Sequence, residues 1–595
     1  MKSIKIIGLF LFLLGFFIFN LMFFQASYRL TPAVLKTQIA ESGKADLLTL
    51  ELWDAINEKF GSTFEFVSEL NGAFDRVNNK QLEIYGMTSV EQDKLTTLNR
   101  EKFSMITVDS VFRGTDAVNE FKRKSFKDYG NWLDGQQFSS ADELRRQILN
   151  VADNIKKYGI VSQFGFDRYA VKDLKYSLAK ASLISPVRDS PWTFLLSTIG
   201  FCVIGALLYI FSKLESPAGI KNNGIFFSVM KNTGWLGIVT GSWLIAFYIL
   251  LYFYPEFMTH WVLLVDPVSK ALNGGEAGRF FLYGFLYTFC ILVMGVRMMI
   301  HYRHSRYQLL RTASVMFFQT AFAFLIPEIM IRLNQPYFDF KNIWPLDYSF
   351  FFESRLDTLL ANGGLGIFML VWGIALIIVG VPVLVYFFGK RWYCSWVCGC
   401  GGLAETLGDP FRHLSNKSVK AWKVERWMIH GVLVFAIVMT AGVLYTYFTG
   451  ASWFLFFDTY KLREVYGAFI GAGFAGVVGT GFYPLMGNRT WCRFGCPLAA
   501  YLGLVQRFKS RFRITTNGGQ CISCGNCSTH CEMGIDVRWY AQRGQNIVRS
   551  SCVGCGVCSS VCPRGVLNLE VKGEKGRFGQ PILIGNNGVK LESFQ

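Results

Sequence analysis

Residues 521–531 read CISCGNCSTHC, and residues 551–563 read SCVGCGVCSSVCP. In the first stretch Cys521, Cys524 and Cys527 are each separated by two residues, and Cys531 follows after three more. Cys552, Cys555, Cys558 and Cys562 repeat that spacing. Cysteines at this interval in a tight loop converge their sulfurs on one point. The glycines and small residues between them let backbone amides turn toward the same point.

The doubled spacing is that of a ferredoxin with two [4Fe–4S] clusters, in which the fourth cysteine of each run ligates the other cluster. The expected ligands are Cys521, Cys524, Cys527 and Cys562 for cluster one, and Cys552, Cys555, Cys558 and Cys531 for cluster two. Zinc also takes paired cysteines. Eight cysteines in two identical spacings, the second closed by Cys562-Pro563, are far more specific than a lone pair. Cys531 is followed by Glu532 where the second run has proline, a difference expected to bear on cluster potential more than on assembly.

Two further cysteine pairs lie upstream. RWYCSWVCGCGG (391–402) sets Cys394 and Cys398 four apart with Cys400 beyond, and RTWCRFGCPLAA (489–500) sets Cys492 and Cys496 four apart before Pro497. On a helix, residues four apart share a face, so each pair would present two thiols side by side. Two such pairs from neighbouring helices would make a four-thiolate site, for a further metal or cluster, or a dithiol relay. Arginines near both pairs would lower thiol pKa values. Topology alone also accounts for those charges. The flanking Trp392, Tyr393, Trp396, Trp491 and Phe494 suit either a water shield or an interfacial aromatic belt.

Working outward, the composition points to lipid. The 595 residues are 51% hydrophobic and 16% aromatic, and mean hydropathy is +0.29. Lys2 and Lys5 precede an apolar run from Ile6 to Phe24. That run is longer than a signal-peptide core, and Ala26-Ser27 is a poor cleavage site, so an uncleaved anchor is expected. Seven more apolar runs follow near 190–212, 232–254, 279–300, 312–333, 364–388, 427–449 and 464–486, giving an expectation of about eight transmembrane helices. Basic residues gather in alternate loops: Lys213, Lys221 and Lys231; Arg297, Arg303, Arg306 and Arg311; Lys390, Arg391, Arg412, Lys417, Lys420, Lys423 and Arg426. By the positive-inside rule those loops, the N-terminus and everything after about 487 are cytoplasmic, and residues 26–188 are periplasmic, in a bacterial inner membrane. The same rule explains the net charge of +18 without nucleic acid. Of 15 cysteines none precedes residue 202 and thirteen lie between Cys394 and Cys562, which argues for redox or ligand thiols over a disulfide framework.

The expected architecture is therefore a multi-span α-helical membrane protein with a mostly helical periplasmic domain and a small α+β 2[4Fe–4S] ferredoxin-like domain. Its segments are an anchor (1–25), the periplasmic domain (26–188) and a seven-helix membrane domain (189–487) with its C-x3-C loop at 390–426. The second C-x3-C-P segment (488–510) and the ferredoxin domain (511–595) follow. Helices are expected at Asp46 to Phe60 and Ser140 to Lys157, the latter opened by a capping box of Ser140 and Glu143. The glycines at 467, 471, 473, 476 and 479 suit close helix packing.

Apolar spans, paired C-x3-C(P) motifs and a double ferredoxin segment resemble the NosR/NapH/CcoG class of membrane polyferredoxins over roughly residues 190–570. The resemblance is most specific at Cys492–Pro497 and Cys521–Pro563. It implies electron transfer between a quinol or cytoplasmic donor and a membrane or periplasmic acceptor, with a redox protein or quinone as partner. Its CcoG branch implies instead a copper reductase or assembly factor for a respiratory metalloenzyme. A redox-sensing regulatory protein is the third reading. The first pair reads Cys398-Gly399-Cys400 where Cys-Pro is usual. NosR-like members carry an external flavin domain with an SGAT-type motif, and none occurs in residues 26–188, so no flavin is expected.

Other polar groups carry less. The six histidines (His260, His301, His304, His413, His430, His530) read as solvated or interfacial, not as haem ligands. Glu328, at membrane depth, suits either a proton acceptor for a quinol or an interfacial ion pair with Arg332. No nucleotide-binding glycine fingerprint is present, because the glycine-rich stretch lies in an apolar helix.

Overall fold

The computed structural model describes residues 2–25, 27–99, 102–215, 234–454 and 457–571. Lys221 and Lys231 of the basic loop, Ala26 of the weak cleavage site and residues 572–595 of the ferredoxin segment lie outside the described residues. Two compact units emerge: residues 20–190 with 255–263, and the remainder.

Among the described residues six helices are long and apolar enough to cross a membrane: Lys2–Phe24, Pro191–Glu215, Arg279–His301, Arg306–Arg332, Gly363–Phe388 and Val419–Thr449. The run expected at 232–254 instead enters a pair, Gly237–Phe253 and Pro255–Leu272, bent by 114°. Pro255 sits at the break, where its missing amide hydrogen cannot continue the helix ladder. The run expected at 464–486 forms the consecutive turns Thr459–Tyr466, Gly467–Val478 and Gly479–Gly481. It is not among the six, since its glycines dilute its hydropathy. Among the described residues, then, six straight spans and one bent pair stand where eight straight spans were expected.

Those glycines do allow close approach, but mainly of aromatic rings. A Cβ on Gly471 would lie 2.9 Å from the Tyr348 hydroxyl, and one on Gly476 would lie 2.6 Å from the Tyr252 ring. Backbone meets backbone where the first two spans cross: a Cβ on Gly205 would lie 2.4 Å from the Phe12 amide nitrogen.

The segment after Arg332 dips into the bundle. Ile343, in the turn-rich stretch before the helix Glu353–Ala361, is 2% exposed and packs in the same core as Cys394, Cys398, Cys492 and Cys496. Glu328 accepts a 2.7 Å hydrogen bond from Asn273 Nδ2, and Arg332 donates to the Ala271 carbonyl at 2.6 Å. Of the two readings of Glu328, the ion pair with Arg332 is thus replaced by two separate contacts.

The ferredoxin segment is α+β. Strands Phe512–Thr516 and Leu567–Val571 pair antiparallel, with Thr516 opposite Leu567. Between them, short helices Asn526–Thr529 and Val557–Ser560 each start from a left-handed glycine, Gly525 (φ 79°) and Gly556 (φ 74°). These matched positions are the local signature of the doubled motif, since only glycine takes that conformation without cost.

The smaller unit is mostly helical around a three-stranded antiparallel sheet. Its central strand Ser27–Arg29 pairs with Lys59–Phe60 on one side and Leu183–Ile184 on the other. A core including Phe103, Phe112, Phe126, Leu144 and Ile148 is fully buried. The helix expected at Asp46 to Phe60 ends at Glu51, and Lys59–Phe60 is strand, because Tyr28 recruits Phe60 to the sheet. Ser140 caps Glu143 as expected, yet the Glu143 carboxylate accepts from Ser139, so only half of the capping box forms. His260, expected at a wet surface, is 3% exposed within this unit.

Candidate functional site

Twelve of the cysteines pack in or against one continuous core, where they group into three candidate sites; Cys524 joins the first of these from the surface. A first cavity is lined by Cys521, Cys524, Cys527 and Cys562 together with Pro563. A second is lined by Cys531, Cys552, Cys555 and Cys558. Each cavity thus draws three sulfurs from one motif and the fourth from the other. The first opens at the surface, where Cys524 is exposed; Cys552 and Cys558 of the second are buried.

The donor chemistry fits [4Fe–4S] clusters. Burial pushes the Cys527 thiol up to about 12 and Cys552 up to about 11. Such sulfurs stay thiolate only beside a cation. The Ile535 amide donates to the Cys531 sulfur at 3.4 Å, an N–H···S bond of the kind that sets cluster potential.

The C-x3-C pairs form the third site. They do not lie on single helices: Cys394 ends the turn Arg391–Cys394, and Cys398 caps the next helix, Gly399–Thr406. Cys492 likewise sits in the turn Trp491–Gly495, and Cys496 caps Pro497–Lys509. Each pair wraps a loop around its sulfurs, as cluster-binding loops do, in place of the side-by-side display expected on a helix. All four are buried. Burial, then the neighbouring thiols Cys492, Cys398 and Cys394, pushes Cys496 well above the ordinary thiol range. Burial pushes Cys394 up to about 12. Cys400 donates to Cys398 and lowers it, helped by the Gly401 amide, Lys341 and Arg489.

The third and second sites share a wall. Ser395 Oγ, inside the first pair, donates to the Val553 carbonyl at 2.8 Å. Gln506 donates to the Cys552 carbonyl at 2.9 Å while accepting from the Lys390 amide at 2.7 Å. From the span Arg306–Arg332, Gln308 donates to the Cys555 carbonyl at 2.9 Å, and Tyr307 donates to the Gly554 carbonyl at 2.8 Å. The second ferredoxin loop is thereby held on four consecutive carbonyls, Cys552 to Cys555.

A buried charge network surrounds this wall. Glu405 pairs with Arg311, Arg412 and, at 2.6 Å, Arg489. Glu532 pairs with Arg412 at 2.6 Å and Arg489 at 3.0 Å. Asp409 pairs with Arg412 at 2.7 Å and Arg297 at 2.9 Å. Arg493, between Cys492 and Cys496, pairs with Glu425 at 2.7 Å. Burial alone would raise Glu405, but its three arginines outweigh it and hold the carboxyl well below the usual range. Oxygens of Glu405 and Glu532 and the Cys555 sulfur lie within 4.8 Å of one another. Since both carboxylates are already matched by guanidinium groups, this cluster reads as an ion-pair network and not as a separate metal site.

Arg297, Arg311 and Arg412, which topology alone explained in the sequence, are thus structural partners of buried acids. Arg489, Glu405 and Asp409 had no signal of their own, apart from Arg489 standing at the head of RTWC.

Comparison with known proteins agrees with this chemistry. Residues 371–418 and 467–515, which hold the two C-x3-C pairs, each match a 4Fe-4S binding domain family, and residues 513–563 match a 4Fe-4S dicluster domain. YccM of Escherichia coli (strain K12), named provisionally as an electron transport protein, is 29% identical over 160 residues, 25% of this chain and 43% of that protein. The methylamine utilization ferredoxin-type protein MauN of Paracoccus denitrificans is 29% identical over 151 residues, 24% of this chain and 48% of its own length. MauN of Methylobacillus flagellatus is 25% identical over 148 residues, 24% of this chain and 50% of that protein. The chain spans half or less of the curated relatives it matches. No solved structure shows significant similarity to it. Three segments of the chain thus match [4Fe–4S]-binding domains, six helices among the described residues are apolar enough to cross a membrane, and in both respects the chain is similar to membrane polyferredoxins.

Proposed function

We propose that this protein is a membrane-bound electron conduit, relaying single electrons between a quinol or soluble donor and an acceptor in or across the membrane. Cys521, Cys524, Cys527 and Cys562 would hold one cluster, and Cys531, Cys552, Cys555 and Cys558 a second. Cys394, Cys398, Cys492 and Cys496 would hold a third centre. When bound, such clusters supply one-electron carriage. The chain's own residues order the centres from exposed to buried, exclude water and compensate charge. The observation that carries the reading is the shared wall at Ser395 and Val553, since adjacent centres are what a conduit needs. The provisional assignment of YccM to electron transport supports it.

The finer topology belongs to the same proposal. Eight crossings in a bacterial inner membrane, with the N-terminus and ferredoxin segment cytoplasmic and the smaller unit periplasmic, satisfy the distribution of basic loops. In that arrangement Arg297, Arg412 and Arg489 lie on the cytoplasmic side.

The test is anaerobic purification of the full chain with iron and sulfide analysis and low-temperature EPR. Three cubane centres predict about twelve iron atoms per chain, and two predict about eight. Zinc without iron or sulfide overturns the proposal. A second reading, soft-metal reduction at the pair site, has one observation in its favour: Cys400 adds a fifth sulfur beside Cys398. Reduction of added cupric ion, lost in Cys394→Ser and Cys492→Ser, would support it.

A further inference from the structure

The surface around the first cavity is chemically uniform. Its rim carries Arg538 and Arg564 beside the exposed Cys524 and Pro563. Arg543 stacks 3.9 Å over the Trp539 ring, and Gln542 ties this helix to the cysteine loop by a 2.7 Å bond to Ser523. The loop 522–524, the helix Val537–Gln542 with Arg543 and the turn at 563–565 therefore form one patch. Ile522, in the lining of the cavity, is 53% exposed, and Trp539, next to Arg538 on the helix, is 41% exposed.

Among the described residues, little negative charge lies near that rim. Residues 521–565 include only two acids. Glu532 is 1% exposed and held by arginines, and Asp536 is half-buried, accepting from Ser528 at 2.6 Å. Arg538, Arg543 and Arg564 have no carboxylate partner among the described residues. Three guanidinium groups without a carboxylate partner among the described residues, beside exposed apolar side chains, are the composition of a transient docking face. Their placement over the one cavity with an exposed candidate ligand ties the face to electron exchange and not to general solubility.

We propose that this patch docks an acidic, soluble one-electron carrier, such as a reduced flavodoxin or acidic ferredoxin, at the mouth of the Cys521–Cys562 cavity. In the productive encounter the carrier is oxidised by one electron and the centre at that cavity is reduced by one; no bond or proton transfer is required. The proposal rests on reading that cavity as a cluster site. Charge around the rim steers the encounter, and the exposed Ile522 excludes water at the cavity mouth.

The test uses full-length protein in detergent or nanodiscs of neutral lipid. Binding of oxidised acidic flavodoxin is followed by biolayer interferometry, and reduction by photoreduced flavodoxin is followed by stopped flow. The expected result is binding that weakens about tenfold or more between roughly 50 and 300 mM salt. Arg538→Glu, Arg543→Glu and Arg564→Glu together should lower affinity and second-order rate by about tenfold or more. The first-centre EPR signal after full reduction with excess dithionite should be retained in the triple variant, which shows that the centre survives. Equal binding of a basic cytochrome overturns the proposal, as does an unchanged rate in the triple variant. Binding only to vesicles of anionic phospholipid also overturns it. Absence of the first-centre EPR signal in the wild type sinks the underlying reading instead, so the two failures are distinguishable.

Discussion

Arg489 Nη1 lies 3.6 Å from the Cys492 sulfur. The same guanidinium donates to the Cys394 carbonyl at 3.1 Å and pairs with Glu405 and Glu532, the latter next to Cys531. One positive charge therefore faces both the C-x3-C site and the second ferredoxin cavity. A cation stabilises the reduced, more negative form of a nearby centre. Arg489→Gln should shift the pair-site midpoint potential to more negative values in EPR-monitored titration, and leave the first, exposed centre unmoved. It should also cost about 3–5 kcal/mol in stability, because Glu405 and Glu532 lose a buried partner. Arg489→Lys keeps the charge without the fork, so it should recover the potential more fully than the stability. Equal shifts at all three centres would contradict the local placement.

Cysteine replacements test the crossed sets. Cys562→Ser should alter the same spectral component as Cys524→Ser, although the two residues belong to different motifs. Cys531→Ser should match Cys555→Ser. The cavities group these sulfurs in that way. EPR of the reduced variants reads the pairing directly, and loss of components motif by motif would refute it.

Much of this arrangement was legible beforehand, for definite reasons. The doubled cysteine spacing encodes a local loop geometry, and apolar runs encode spans, because both depend on neighbours in sequence. Arg412 was not legible in the same way. In sequence it is one of several basic residues beside a span. In the fold it bonds Glu405, Asp409 and Glu532, the last 120 positions away. The helix assumed for each C-x3-C pair failed for a related reason. Tertiary packing around Cys398 and Cys496 turns them into helix caps, and spacing alone does not distinguish a cap from a helix interior.

Asp409 gives the network a pH signature. Burial alone would raise its carboxyl, but Arg297 and Arg412 outweigh that effect and hold it well below the usual range. A carboxyl depressed in the fold contributes stability that is fully present above its ordinary pKa of about 3.9 and lost as pH falls below that value. Thermal unfolding of solubilised wild type and Asp409→Asn should therefore differ by about 3 kcal/mol near neutral pH. The difference should narrow as pH drops from about 5 toward 3. A gap independent of pH would mean that the substitution acts through packing and not through charge.

Lys341 tests whether the inward-dipping segment is part of the redox core. Its ammonium pairs with Asp339 at 2.9 Å, with side-chain exposures of 9% and 17%. Two residues on, Ile343 packs against the C-x3-C cysteines, and the Lys341 charge helps to lower Cys398. Lys341→Met alone leaves Asp339 uncompensated and should destabilise by about 2–4 kcal/mol. Adding Asp339→Asn removes that stranded charge, so the double variant should be more stable than the sum of the singles by roughly 1 kcal/mol or more. The pair-site potential separates structure from electrostatics: it should fall in Lys341→Met, which removes the nearby cation, and rise part of the way back in the double variant, which also removes the Asp339 carboxylate. If stability fell in Lys341→Met while the potential stayed at the wild-type value, Lys341 would be holding the loop in shape and contributing no charge to the site.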